Sequence, residues 1–161
     1  MKILVVSDTH GYNDNLEKVI TLEEPFDMMY HLGDFEDSYS VEKLAKTGVV
    51  FVRGNNDYFG DYRDTRIIEL EGNRILLTHG HKYRVGMLGY DRLLYAAMEE
   101  GANYVIFGHT HKPLLEEESG VTFLNPGSLT YPRQEGRKPT YAVLNVSEYG
   151  VITIQQKELS Q

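Results

Sequence analysis

The chain has 161 residues, 41% hydrophobic and 25% charged, with a formal net charge of −8 and a pI near 5.2. That length suits one domain with a sizeable core, and the acidic balance argues against sequence-independent binding to nucleic acid or anionic membranes. The absence of cysteine excludes disulfides and thiolate metal sites, so any metal must be held by His, Asp, Glu, Asn or backbone oxygen.

Ile3-Leu4-Val5-Val6 is a short, β-branched apolar run, as expected of a strand buried on both faces. It stops at Ser7-Asp8-Thr9-His10-Gly11, where extended backbone would send the side chains of Asp8 and His10 to the same side. Leu16, Val19 and Ile20 fall at i, i+3 and i+4, predicting a helix over Asn13–Glu24 that Asn13 caps and Pro25 ends. Met28–Leu32 reads as a second strand, closing on Gly33-Asp34, and Ser40–Lys46 as a helix stopped by Gly48. Val49–Val52 is a third strand, followed by Arg53-Gly54-Asn55-Asn56-Asp57.

Beyond a polar and aromatic loop at 58–64, Thr65–Leu70 and Arg74–Thr78 form an expected hairpin about Glu71-Gly72-Asn73. Its second strand ends at His79-Gly80-His81. Gly89–Glu100 is an amphipathic helix stopped by Gly101, and Tyr104–Phe107 is a buried strand ending at Gly108-His109-Thr110-His111. The remainder is β-rich, with strands at Val121–Leu124, Thr140–Val146 and Val151–Lys157. No basic-then-apolar leader and no span-length apolar run occur, so a cytoplasmic protein with no membrane partner is expected. Strands alternating with helices and then hairpins imply a single α/β domain over 1–161, two mixed sheets with helices outside, and ligands at the carboxyl ends of the strands.

Five of the six histidines follow an expected strand, and His31 lies within one. A strand-end Asp or His taken singly is more often bonded to loop amides; five such clusters after five strands point to a metal centre. Asp8, His10, Asp34, Asn55, His79, His109 and His111 are too many ligands for one tetrahedral zinc and suit two cations sharing a carboxylate. Asp34 stands alone on its strand end and is the natural bridge. Two divalent ions, two carboxylates and a bridging hydroxide leave the centre net positive inside an acidic protein, which attracts a phosphoryl group.

Asp8-Thr9-His10, Gly33-Asp34, Gly54-Asn55-Asn56-Asp57, His79-Gly80-His81 and Gly108-His109-Thr110-His111 together resemble the calcineurin-like metallophosphoesterase superfamily, most closely its small single-domain phosphodiesterase branch. The resemblance runs from Met1 to about Arg133 and implies a four-layer α/β-β/α sandwich. It also implies a dinuclear centre filled by manganese first, or by iron, zinc or nickel. By motif, Asp8, His10 and His111 would hold one ion, Asn55, His79 and His109 the other, and Asp34 would bridge them. The reaction expected is attack of a metal-bridging hydroxide on a small phosphodiester.

Many relatives carry a leaving-group acid, His, where this chain has Asn56, and a neutral amide cannot be a general acid. Asn56 therefore orients a loop, or His81 or His31 takes the role. Arg133, shortly after Asn125-Pro126-Gly127-Ser128, and Arg53 are candidates for contacting phosphate. The competing readings are a protein-binding scaffold like the retromer subunit of the superfamily, a phosphomonoesterase, or a nuclease. The last lacks a basic stretch or added domain. Oligomeric state is open, a homo-oligomer included.

Overall fold

The computed structural model describes residues 1–160; Gln161, the last residue of the expected domain, lies outside them. Side-chain alternation along β1 (Lys2–Val6) decides the layering. Leu4 and Val6 pack with Leu16, Val19 and Ile20 of α1 (Asp14–Glu23) and Val41 of α2 (Ser38–Ala45). Ile3 and Val5 face the other way, onto Ile75 and Leu77 of β5 (Asn73–Thr78) and Ile106 of β6 (Tyr104–Ile106). On the far side of that second sheet, Leu76, Val105 and Phe107 meet Leu93, Leu94 and Ala97 of α4 (Asp91–Glu100). Three apolar layers thus separate helices, sheet, sheet and helix, the four-layer sandwich expected. Each fully buried Leu, Ile or Val contributes about 1.5–3 kcal/mol, so β1, buried on both faces, anchors the whole.

The first sheet adds β2 (Met28–His31) and β3 (Gly48–Phe51) in parallel to one side of β1. On its other side lie β9 (Thr140–Val146) and β10 (Ile152–Glu158), antiparallel, in the order β10-β9-β1-β2-β3. The second sheet runs β4-β5-β6-β8-β7, with β4 over Thr65–Leu70, β7 over Pro113–Glu118 and β8 over Val121–Pro126. Both sheets are mixed. Strands β1, β2, β3, β5 and β6, with β8 parallel beside β6, end at the same edge of the sandwich, where their loops meet and the polar clusters lie.

Several local expectations shift. Asn13 occupies the N-cap position of α1, but its side chain accepts no backbone amide; α2 starts earlier than expected, under Asp37, which accepts from the Ser40 amide at 3.1 Å. The helix expected from Gly89 is α4, which begins at Asp91; an additional short turn α3 (Val85–Leu88) precedes it, and Gly89, at φ 70°, separates the two. Strand β7 (Pro113–Glu118) was not expected and forms the outer edge of the second sheet against β8. Among the described residues, no helix is long and apolar enough to cross a membrane.

Candidate metal centre

All seven expected ligands lie on loops that leave those five strands. At Asp8 and His10 the backbone is not extended: φ is 55° and 51°, because the Asp8 amide donates to Gly33 O (3.0 Å) and the His10 amide to Asp34 O (2.8 Å). Asp34, His109 and His111 are left-handed as well, with φ of 55°, 70° and 60°. Left-handed backbone in non-glycine residues costs of order 1–3 kcal/mol each, and it gathers here at the chemistry-bearing positions.

Two glycines allow the loops to close. A Cβ on Gly54 would lie 2.1 Å from Asp34 Oδ1, and one on Gly108 would lie 2.1 Å from Ser7 Oγ and 2.9 Å from Asp8 Oδ2. Asp57 then staples the loops together. Its Oδ2 accepts from the amides of Asp34 and Gly54, both at 2.7 Å, and its Oδ1 from the Glu36 amide at 2.8 Å.

One ligand atom each from Asp8, His10, Asp34 and His111 falls within 4.8 Å of all the others. The tautomers follow from hydrogen-bond chemistry. Nδ1 of His79 faces Leu32 O at 2.6 Å, Nδ1 of His111 faces Tyr131 O at 2.7 Å, and Nδ1 of His10 faces Glu36 Oε1 at 3.0 Å. These oxygens only accept, so each Nδ1 carries a proton and the Nε2 of each ring is left for the centre. His10 Nε2 and His111 Nε2 stand 3.4 Å apart, and His79 Nε2 lies 3.1 Å from Asn55 Oδ1. His109 closes the second group, its ring centroid 5.1 Å from that of His79.

Asp8 is fully buried, and its Oδ2 is held by Ser7 Oγ (2.5 Å) and the His109 amide (3.1 Å). Its Oδ1 points into the cluster without a well-directed hydrogen bond, 3.1 Å from His111 Nε2 and 3.7 Å from His79 Nε2. A buried carboxylate oxygen without a hydrogen bond, ringed by imidazole nitrogens with their lone pairs inward, is what a cation would satisfy. The donor set therefore fits a metal: oxygen and imidazole suit divalent transition ions.

Electrostatics agree. Burial pushes Asp8 up, but the facing His79 and His111 bring it below the ordinary carboxylate range. Asp34 is likewise lowered, where His79 and the two Asn56 donors outweigh burial. Burial pulls His79 down, yet the charges of Asp8 and Asp34 raise it to about 9. Burial lowers His109 and His81.

The centre opens into a cavity of about 290 Å³ lined by His10, Asp34, Asn55, Asn56, His109, His111, Tyr131 and Arg133. Arg133 thus stands beside the cluster. Arg53, expected at phosphate, is instead committed to the neighbouring loop: its guanidinium donates to Tyr62 O (3.2 Å), Asp57 O (2.6 Å) and Gly60 O (2.5 Å). His81 is not among the lining residues; its ring sits 5.4 Å from that of His79. His31 accepts from the Gly33 amide at Nδ1 and donates to Thr9 Oγ1 through Nε2, and burial pushes it down to about 3. Both nitrogens of this buried ring are thus taken up by the surrounding loops. Asp57, Glu36 and Tyr131 also shape the site; Asp57 closes the Gly54-Asn55-Asn56-Asp57 motif, and nothing in the sequence marks the other two.

A model of the calcineurin-like phosphoesterase superfamily domain matches residues 1–149. A probable metallophosphoesterase of Mycoplasma pneumoniae is 37% identical over 150 residues, covering 91% of each chain. A crystal structure from Streptococcus pneumoniae, described as a conserved uncharacterised protein and predicted phosphoesterase, is similar with TM-score 0.78 and 28% identity over 98% of this chain and 97% of that one. An archaeal phosphodiesterase reaches TM-score 0.77 at 25% identity, over 99% and 100%.

Proposed function

The chain belongs to the calcineurin-like phosphoesterase superfamily, and on that premise we propose that it hydrolyses small phosphodiesters at two cations held by the seven strand-end ligands. One observation carries this reading. Asp34 Oδ2 lies 3.6 Å from His10 Nε2 and 3.4 Å from His79 Nε2, between the two ligand groups, where a shared carboxylate belongs. Asp8, His10 and His111 would hold one ion, and Asn55, His79 and His109 the other. The resemblance puts manganese first, with iron, zinc or nickel as alternatives, and a mixed carboxylate and imidazole donor set can take any of the four. Such ions supply charge that polarises a phosphoryl oxygen and lowers the pKa of water.

The chain's own groups do the rest. Ser7 and the His109 amide fix the Asp8 carboxylate, and Asn56 fixes that of Asp34, so the ligand frame is set before substrate arrives. Arg133 offers a planar cation to a phosphoryl oxygen in the same cavity. Asn56 provides no proton for a departing alkoxide, which favours diesters with good leaving groups. A diester's single negative charge also asks for less compensation than a monoester dianion.

A scaffold would not need this buried convergence of ligand atoms, since binding surfaces do not require an unpartnered Asp8 oxygen. The test is hydrolysis of bis(p-nitrophenyl) phosphate by protein loaded with Mn²⁺, Fe²⁺, Zn²⁺ or Ni²⁺. Turnover that a chelator abolishes supports the proposal; no turnover with any of the four ions returns the scaffold reading.

A further inference from the structure

We propose that Tyr12 and Tyr131 form a stacking corner that selects phosphodiesters whose retained ester group is planar and aromatic, a nucleoside or a simple aryl group. This rests on the phosphoesterase reading and specifies the substrate class of that site. Tyr131 lines the cavity with His10, His111 and Arg133. Its ring lies 5.4 Å from that of His10 and runs nearly parallel to His111, at 16°. Tyr12 stands at 85° to Tyr131, with centroids 6.2 Å apart, so the two rings make an L-shaped wall at the mouth of the site. Both are left open, at 64% and 47% exposure, where neither contributes to a core.

The backbone that carries the wall is tied down. The Tyr131 amide donates to Ser128 Oγ at 2.9 Å, and its carbonyl receives His111 Nδ1. Thr130 Oγ1 reaches Thr9 O at 2.8 Å and Tyr12 O at 3.2 Å, tying the two tyrosine segments to each other. Rigid aromatic side chains offer contact area with little entropy left to lose. The Arg133 amide donates to His111 O at 3.0 Å, and among the described residues its guanidinium has no hydrogen bond or ion pair. A phosphate seated between the cluster and Arg133 would place its ester group against the corner. The net charge of −8 disfavours a polyanionic strand, so the occupant is a small ester.

The experiment keeps the leaving group constant. Metal-loaded protein is given methyl, phenyl and thymidine 5′-esters of p-nitrophenyl phosphate, so that only the retained group varies. The expected KM for the two aromatic esters is at least about tenfold below that for the methyl ester, the size expected of one aromatic stack. Tyr131→Leu and Tyr12→Leu bring the ratio toward one, whereas Tyr131→Phe keeps it. In parallel, calorimetry with thymidine 5′-monophosphate, phenyl phosphate and methyl phosphate reads the same contrast without turnover. Hydrolysis with equal KM values, or a contrast that survives Tyr131→Leu, overturns the stacking corner. No hydrolysis of any ester, with the binding contrast intact and lost in Tyr131→Leu, overturns the phosphoesterase reading alone. Thymidine favoured over phenyl identifies a nucleoside ester; equal preference identifies the aryl plane itself.

Discussion

The side-chain amide of Asn56 donates to Asp34 Oδ2 at 3.0 Å while its backbone amide donates to Oδ1 at 2.9 Å, so one residue grips both oxygens of the central carboxylate. Asn56 is therefore a positioning residue. A hydrogen bond to a charged acceptor is worth about 1.5–3 kcal/mol, so Asn56→Ala should lower kcat/KM for an aryl diester by at least about tenfold. Asn56→His should add an acid and flatten the dependence on leaving-group pKa. A series of substituted phenyl diesters measures both slopes; equal slopes in wild type and Asn56→His would show that position 56 does not limit the reaction.

Asp34→Asn should cost more than Asn55→Ala. The first removes a charge placed between two groups of ligands, 3.6 Å from His10 Nε2 and 3.4 Å from His79 Nε2; the second removes one neutral oxygen. At least about a thousandfold loss in kcat is expected for Asp34→Asn. Small, similar losses in both variants would mean that Asp34 is not shared.

Elemental analysis of protein saturated with Mn²⁺ should find two ions per chain, and a value near zero would end the metalloenzyme reading. Binding should also stabilise the fold. At a free ion concentration of 100 times Kd, mass action supplies about 2.7 kcal/mol, a rise in Tm of roughly 5–10 °C for a chain of this size. Differential scanning with and without chelator checks it.

Gly54→Ala would bring a methyl group to 2.1 Å from Asp34 Oδ1 and 2.2 Å from the Asp34 amide. Both atoms are held by other bonds, so the loop must move, at a cost of about 1–3 kcal/mol. Metal stoichiometry and Tm should both fall. Gly72→Ala is the control: its φ is 80° but nothing lies within 4 Å, so it should lose some stability and keep full metal binding. Equal effects of the two on metal binding would refute the close approach.

Acid stability should depend on Glu23. Its nearly buried carboxylate takes Lys157 Nζ at 2.7 Å, Tyr141 Oη at 2.7 Å and Lys2 Nζ at 3.1 Å. Burial raises Glu23, but these donors lower it below the ordinary 4.5. A depressed folded value means stability that is present above the unfolded value and lost as pH falls through the folded one. Wild type should thus lose stability progressively as pH falls below about 4.5, a loss that Glu23→Gln lacks because it is already weaker at neutral pH. Urea unfolding from pH 7 to 3 compares them; parallel curves would remove Glu23 as the source.

What the sequence by itself determined is what local pattern carries. The unbroken Ile3–Val6 run announced a strand buried on both faces, and the strand-end clusters announced where the chemistry lies. Candidate ligands were legible because Asp, Asn and His after apolar runs stand out one motif at a time. Tertiary structure decided the rest, because it depends on partners far away in the chain. Strand β7 was hidden because Leu114-Leu115 followed by three glutamates has no alternation, and only its register with β8 makes it a strand. Extended backbone would have sent Asp8 and His10 to one side, but both are left-handed, with bonds to the loop after β2. Arg53 looked available until Tyr62, Asp57 and Gly60 turned their carbonyls onto it. The inward lone pairs of His79 and His111 are set by the carbonyls of Leu32 and Tyr131, 47 and 20 residues away. Residue type supplies a group that can bind a cation; only the acceptor behind each ring decides which nitrogen faces it.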